Sequence, residues 1–141
     1  MRSALALLAM LAPLAGCTTL PAYAPDGLKI ASYQPAPGSN VVLEGPIEGA
    51  PDRHLVMGDL VAAPGSVIPR HYHSGEEFLY VIGGSAILKR EGMPDMELRP
   101  GQSVRIAPGV VHGGISGPDG TRAISSWIVV NNQPLRTLAP E

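Results

Sequence analysis

Three of the four histidines in this 141-residue chain fall between positions 71 and 112, and together with one glutamate they have spacings that suit a metal ion. His71 and His73 are two residues apart, and such residues on a β-strand face the same side, about 6.5–7 Å apart along the chain. Glu77 follows after a short loop at 74–76, and His112 comes later in the chain. Imidazole and carboxylate suit Mn, Fe, Ni, Cu and Zn alike. These four side chains therefore predict a site for one divalent metal ion, whose identity stays open.

Such a site would support chemistry as well as binding. Three neutral imidazoles and one carboxylate leave a divalent ion with a net positive charge and, in an octahedral site, with two open positions. Water, dioxygen or a substrate can bind there, and the charge would stabilise an enolate or lower the pKa of bound water. Glu77 has two possible roles, as a metal ligand and as the catalytic base. The fourth histidine, His54, belongs to no such pattern and is interpreted as structural or exposed.

The segments around these residues are typical of an all-β domain. Hydrophobic residues make up 45% of the chain, Gly and Pro number 17 and 15, and no window has a convincing helical period. Short apolar runs alternate with turn residues, which predicts antiparallel strands closing into a sandwich or small barrel. The predicted strands are 54–62, 77–82, 86–90, 96–98, 103–106, 110–112 and 122–130, with short strands also expected near 28–33 and 41–43.

Glycine and proline predict where these strands break. Gly83-Gly84 predicts a tight two-residue hairpin. Pro100-Gly101 and Pro108-Gly109 predict type II turns, and the stretch 117–120 predicts a further loop.

Two stretches of this pattern resemble the two motifs of the cupin superfamily. The first has the spacing G-x5-H-x-H-x3-E-x6-G, and its members are Gly65, His71, His73, Glu77 and Gly84. The second runs from Gly101 to His112 and matches more loosely, because Pro108 directly precedes Gly109 and Ser116 stands where many members have asparagine. The resemblance covers roughly residues 55–130 and implies a jelly-roll barrel, the cupin double-stranded β-helix.

The same resemblance implies a function. It points to the small dioxygenase-like cupins, including the quercetin-dioxygenase type, with His71, His73, Glu77 and His112 as metal ligands. In this hypothesis the substrate chelates the metal through adjacent oxygens and Glu77 takes its proton. Two alternatives stay open, a non-catalytic module that binds a small molecule or metal, and a metal-assisted isomerase or lyase. Family precedent favours Mn or Fe, whereas metal loading outside the cytoplasm would favour Cu or Zn.

The first residues predict export rather than a folded element. Arg2 precedes an apolar stretch, Ala4 to Leu14, which is too short to span a bilayer. It ends in Leu14-Ala15-Gly16-Cys17, which resembles the lipobox of bacterial lipoproteins. We therefore expect a signal peptide at 1–16, a lipidated Cys17, a tether with N-terminal strands at 17–45 and a cupin domain at 46–141. Thr18 in place of aspartate favours a periplasmic, outer-membrane location, and cleavage as an ordinary signal peptide is the alternative.

Charge and strand alternation set expectations about partners. The formal net charge is −2 with no clustered basic face, so nucleic acid is not expected as a partner. If Glu77 faces inward, then Leu79 and Val81 do too, and the intervening residues Phe78, Tyr80 and Ile82 face outward. This outward apolar strip predicts a homodimer. No Arg or Lys is placed in the pocket, and Trp127 is assigned to the core or an interface. The expected ligand is a small, oxygen-bearing, partly aromatic or enolisable molecule.

Overall fold

The computed structural model describes residues 35–140, which form eight β-strands. The strands are β1 (Gly38–Pro46), β2 (Arg53–Ala62), β3 (Val67–Tyr72), β4 (Glu77–Arg90), β5 (Met96–Leu98), β6 (Ser103–Ile106), β7 (His112–Val130) and β8 (Thr137–Leu138). Over this range no helix is long and apolar enough to cross a membrane. The predicted signal peptide at 1–16, Cys17 and the strand expected near 28–33 lie outside the described residues.

All strand pairings are antiparallel, and β7 pairs with three other strands, β2, β3 and β4. The order along one path is β1-β2-β7-β3-β8, while β4 pairs with β5, β6 and β7. The long ladders of β7 with β2 and with β4 bring distant parts of the chain side by side. The predicted all-β, jelly-roll architecture is confirmed. The sheet begins at Gly38, inside the stretch 17–45 that was predicted to hold a tether and N-terminal strands, and β1 contains the strand expected near 41–43.

The first half of β4 shows the alternation expected of a strand with one buried face. Glu77, Leu79 and Val81 are buried, and the residues between them, Phe78, Tyr80 and Ile82, are exposed. The buried side joins a core cluster made of Leu79, Val81, Leu88, Leu98, Ile106 and Ala123. Burial of these apolar side chains holds the strand that carries Glu77 in place.

The hairpin predicted at Gly83-Gly84 is wrong, because β4 runs straight through both glycines. Gly84 has φ +63°, and a Cβ there would lie 2.0 Å from the carbonyl oxygen of Gly120 on β7. The register between β4 and β7 shifts on either side of this pair. These glycines therefore form a β-bulge, at which the backbone of β4 comes close to the backbone of β7. Glycine is common both at bulges and in turns, so the sequence does not distinguish the two.

The loop predicted at 117–120 is also not a break between strands, because β7 continues from His112 to Val130. Thr121 pairs with Gly84 and Ser116 pairs with Ala86, so four residues of β7 lie opposite one residue of β4. The segment is an irregularity within a long strand. By contrast, Gly101 and Gly109 have φ values of +87° and +73°, as the turns predicted there require.

Candidate metal centre

The strand framework brings the four predicted ligands together. His71 on β3 pairs in register with His112, the first residue of β7, and Glu77 opens β4. His73 follows directly after β3. All four side chains are buried, and their possible ligand atoms lie within 4.8 Å of one another. The predicted cluster is therefore present as a group that could hold one metal ion.

Each of the three imidazoles is oriented by a backbone carbonyl. The Nδ1 contacts are His71 to Pro69 O at 2.7 Å, His73 to Leu135 O at 2.5 Å and His112 to Val110 O at 2.8 Å. A carbonyl oxygen only accepts hydrogen bonds, so each Nδ1 must carry the proton. The lone pair of each neutral ring is then on Nε2. Fixing the tautomer in this way is how proteins prepare histidine for a metal.

The contacts at His73 provide a test of whether the residues fit a cation. The indole Nε1–H of Trp127, which can only donate, lies 3.2 Å from His73 Nε2, so this nitrogen is an acceptor. Yet Glu77 Oε2, also an acceptor, lies 3.2 Å from the same nitrogen and 3.0 Å from His112 Nε2. A carboxylate oxygen and two imidazole nitrogens this close in a buried site need a cation among them, either a proton on an imidazole or a bound metal ion. The donor set therefore fits a divalent metal ion.

The protonation states also suit a metal. Burial would raise the pKa of Glu77, but the neighbouring His112 and His73 outweigh it and lower the pKa to about 2. Burial lowers the pKa of His71, and the adjacent rings lower it further, against the Pro69 carbonyl and Glu77, which raise it. At neutral pH the carboxylate is ionised and this imidazole is neutral, which are the forms that coordinate metals.

Backbone contacts fix the loops that carry the cluster. The Gly109 N–H donates to the carbonyl of His73 at 3.0 Å, which ties the turn before His112 to the first histidine pair. The loop between His73 and Glu77 lies against β7, where the Ile128 N–H donates to the Glu76 carbonyl at 2.9 Å. The Glu76 side chain contacts Arg105 instead of the cluster. The two neighbouring glutamates thus have separate roles, as alternation predicts.

The cluster opens into a cavity of about 720 Å³ with a mainly apolar wall. The apolar side chains lining it include Leu60, Ile68, Leu79, Leu88, Ile106 and Trp127. Trp127 is buried and packs with Val56 and Val129, as its assignment to the core implies, but it also lines the cavity and contacts His73. It pairs with Glu77 across β4 and β7, a neighbour relation that only the sheet topology supplies.

Two polar residues of the lining were missed by sequence reasoning. Arg136 is exposed at the cavity, so the expectation that no Arg or Lys reaches the pocket is wrong. Ser125 is fully buried in the cavity wall. The fold, not the local sequence, places both residues there. Arg136 follows Leu135, whose carbonyl accepts a hydrogen bond from His73. Ser125 lies on β7, two residues before Trp127. His54 lies outside the cluster, with Nδ1 2.9 Å from Asn131 Oδ1.

Residues 58–127 match the family model of the cupin domain. This stretch is a cupin domain. The cupin domain includes all four members of the cluster, and it places both predicted motifs inside the matched range. The resemblance seen in the spacing of the histidines and glutamate is therefore confirmed at the level of the domain family.

One curated relative is dimethylsulfoniopropionate lyase DddW of Ruegeria pomeroyi, which is 36% identical over 75 residues. The match covers 53% of this chain, and the chain spans about half of that relative, 48% of its length. The similarity therefore concerns a shared domain, and the activity of the whole relative is a separate question.

Solved structures extend the likeness of the cupin domain. A cupin-like protein of Thermotoga maritima is 25% identical with a TM-score of 0.61, covering 73% of this chain and 75% of that one. A conserved double-stranded β-helix protein of Klebsiella pneumoniae is 27% identical with a TM-score of 0.59, covering 77% and 90%. Dimethylsulfoniopropionate lyase DddQ of Ruegeria pomeroyi, at 24% identity and TM-score 0.57 over 71% and 52%, shares the fold.

Proposed function

We propose that this cupin domain is a metal-dependent lyase that acts on a small carboxylate. The observation that carries the proposal is the cluster of mutually facing acceptors around Glu77, which needs a cation and opens into a cavity of small-molecule size. The lyase class is supported by the 36% identity to dimethylsulfoniopropionate lyase DddW, whose name specifies a propionate substrate. It was one of the alternatives that the sequence left open.

The charges on the cavity wall favour an anionic substrate. Among the described residues that line it, Glu77 is the one acid and Arg136 the one side chain with a permanent positive charge. With a divalent ion bound and the histidines neutral, the lining carries a net positive charge. A cavity of this charge attracts and orients carboxylates.

The chain's own residues account for the proton transfer that a lyase needs. A divalent ion in the cluster would act as a Lewis acid toward a substrate carboxylate oxygen. Glu77, the one carboxylate among the described residues that line the cavity, would accept the proton from the carbon next to the substrate carboxylate. The C–H electron pair then forms the C=C bond, while the leaving group departs from the next carbon with its own bonding pair. Glu77 afterwards returns the proton to water.

A turnover assay tests the proposed lyase. We expect the protein loaded with Mn, Fe(II), Ni, Cu or Zn to release acrylate from dimethylsulfoniopropionate or from another β-substituted propionate, with product followed by NMR. Glu77→Gln should lower kcat by about 10²–10⁴-fold, the range for loss of a general base. Glu76→Gln is the matched control and should retain activity, since Glu76 contacts Arg105 outside the cluster. Absence of metal-dependent elimination across the panel would contradict the proposal.

An oxygenase of the quercetin-dioxygenase type is the second candidate function. It is favoured by the donor set itself, because three imidazoles and one carboxylate would hold a metal ion and could leave room on it for both substrate and dioxygen. Oxygen uptake with flavonols, enediols or diketones would support it over the lyase. Tight binding of a small molecule with neither elimination nor oxygen uptake would instead support a binding module.

We further propose that the domain forms a homodimer through the outer face of β4. Phe78, Tyr80 and Ile82 are 42%, 47% and 40% exposed there, which makes an apolar strip that a second copy would cover. Tyr80→Lys should convert a dimer to a monomer in light scattering. Val67→Lys, at an apolar residue that is 71% exposed outside the strip, should leave the dimer intact. A monomeric wild-type protein at working concentrations would exclude this assembly.

Anchoring at the cell envelope through a lipid on Cys17 is proposed from the lipobox-like sequence alone. Two or more acyl chains would hold the protein stably at the periplasmic side of the outer membrane. A Cys17→Ser variant that stays in the membrane fraction as the wild type does would argue against the anchor.

A further inference from the structure

Ser125 combines complete burial with an unused hydroxyl. Its side chain is 0% exposed, and its Oγ has no hydrogen-bond partner among the described residues. Buried polar groups are nearly always paired in folded proteins, because leaving one unpaired costs free energy. The buried hydroxyl of Ser125 therefore needs a hydrogen-bond partner that the described residues do not supply.

The sheet register locates this hydroxyl relative to the metal cluster. Ser125 pairs with Leu79 on β4, and Trp127, two residues on, pairs with Glu77. Residues two apart on a strand share a face and lie about 6.5–7 Å apart, so Ser125 is one step along the wall from the cluster. On its other side β2 presents Gly58, which has no side chain to bond it.

Apolar side chains share the cavity wall with this hydroxyl. Leu79 and Ile106 line the same cavity, and both belong to the core cluster. Two residues further along the same strand pair stand Glu77, a member of the metal cluster, and Trp127, which contacts His73. A molecule held at the metal end of the cavity would therefore place its other end within reach of Ser125.

We propose that Ser125 is a specificity-determining residue that hydrogen-bonds a second oxygen of the substrate, at the end away from the metal. The ligand class is a short carboxylate that carries another oxygen-bearing group, such as a hydroxy acid or a dicarboxylate. This inference rests on the proposed metal-centred function and narrows its substrate. Among the β-substituted propionates of that proposal, it favours those whose far end carries an oxygen.

Calorimetry on the metal-loaded protein tests this assignment with matched probes. Propionate, 3-hydroxypropionate, malonate and succinate differ in the second oxygen group. The wild type should bind at least one oxygenated probe about tenfold more tightly than propionate, the value of one good hydrogen bond. Ser125→Ala should remove that preference and leave propionate affinity unchanged. Ser126→Ala is the control, because Ser126 alternates to the opposite face, and it should keep the preference.

Independent readouts separate this proposal from the others. Metal content should be unaffected by Ser125→Ala, and the melting temperature without ligand should not fall, because the variant removes an unpaired buried group. Ser125→Cys, with similar volume and a weak donor, should show an intermediate preference. A preference that survives Ser125→Ala would overturn the assignment, because another group would then bind the second oxygen. Equal binding of all probes by the wild type would overturn it too. Binding preference without turnover would sustain the role of Ser125 while refuting the lyase.

Discussion

Replacing His112 with alanine should abolish high-affinity metal binding while the barrel stays folded. The ring supplies one of four converging donors, and its Nε2 lies 3.0 Å from Glu77 Oε2. We expect the dissociation constant to rise by more than about 100-fold, because losing even an outer partner of a metal ligand costs about 10–100-fold. The truncation leaves Glu77 with fewer partners in a buried site, so a lower melting temperature should accompany the loss.

The single tryptophan makes this change measurable without added probes. Trp127 is the chain's one tryptophan, its ring centroid is 5.8 Å from that of His73, and its indole donates to His73 Nε2. A metal ion that takes that lone pair must replace the indole contact. Titration with Cu²⁺ or Ni²⁺ should therefore quench the wild-type fluorescence, and His112→Ala should shift the titration to much higher metal concentrations.

His54→Ala is the matched control for the titration. It removes the one histidine outside the cluster, which contacts Asn131 instead. Its titration should match the wild type. If His54→Ala and His112→Ala weaken metal binding equally, the cluster is not the site.

Replacing Gly75 with alanine should produce the largest loss of stability among single small substitutions in the described residues. A Cβ at this position would lie 1.5 Å from the carbonyl oxygen of Ile128, which is backbone of β7 and cannot rotate away. The loop between His73 and Glu77 would have to lift off the sheet. We expect a loss of about 3 kcal/mol or more in the free energy of unfolding, measured by denaturant titration. Metal affinity should fall with it, because two ligands flank the displaced loop.

Gly45→Ala provides the comparison for this steric argument. Gly45 lies in β1, and a Cβ there would meet nothing within 4 Å. Its effect on stability should be within about 0.5 kcal/mol, as for most surface changes. Equal stability of Gly75→Ala and Gly45→Ala would show that the loop does not press against β7 as described.

Local pattern predicted much of the scaffold and the whole cluster. The strands at 96–98 and 103–106 match β5 and β6 residue for residue, and the inward and outward faces at the start of β4 are as alternation requires. The four clustered residues were recognisable because their type and spacing are unusual. Features set by short-range chemistry could thus be predicted.

Features set by long-range pairing could not be predicted. Gly83 and Gly84 predicted a turn, but Gly84 instead accommodates the backbone of β7 at Gly120, more than 30 residues away. Likewise, Ser125 and Trp127 became part of the site only because β7 lies beside β4. Arg136 reaches the cavity through the stretch whose Leu135 carbonyl orients His73. None of these contacts leaves a periodic pattern in the sequence.

Metal content is the measurement that tests the central claim most directly. The protein should be folded with a mixture of Mn, Fe(II), Ni, Cu and Zn, dialysed, and analysed by mass spectrometry for bound elements. The cluster predicts about one divalent ion per chain, retained in His54→Ala and lost in His112→Ala. A wild-type protein that retains no metal, or a His112→Ala variant that retains a full equivalent, would contradict the account.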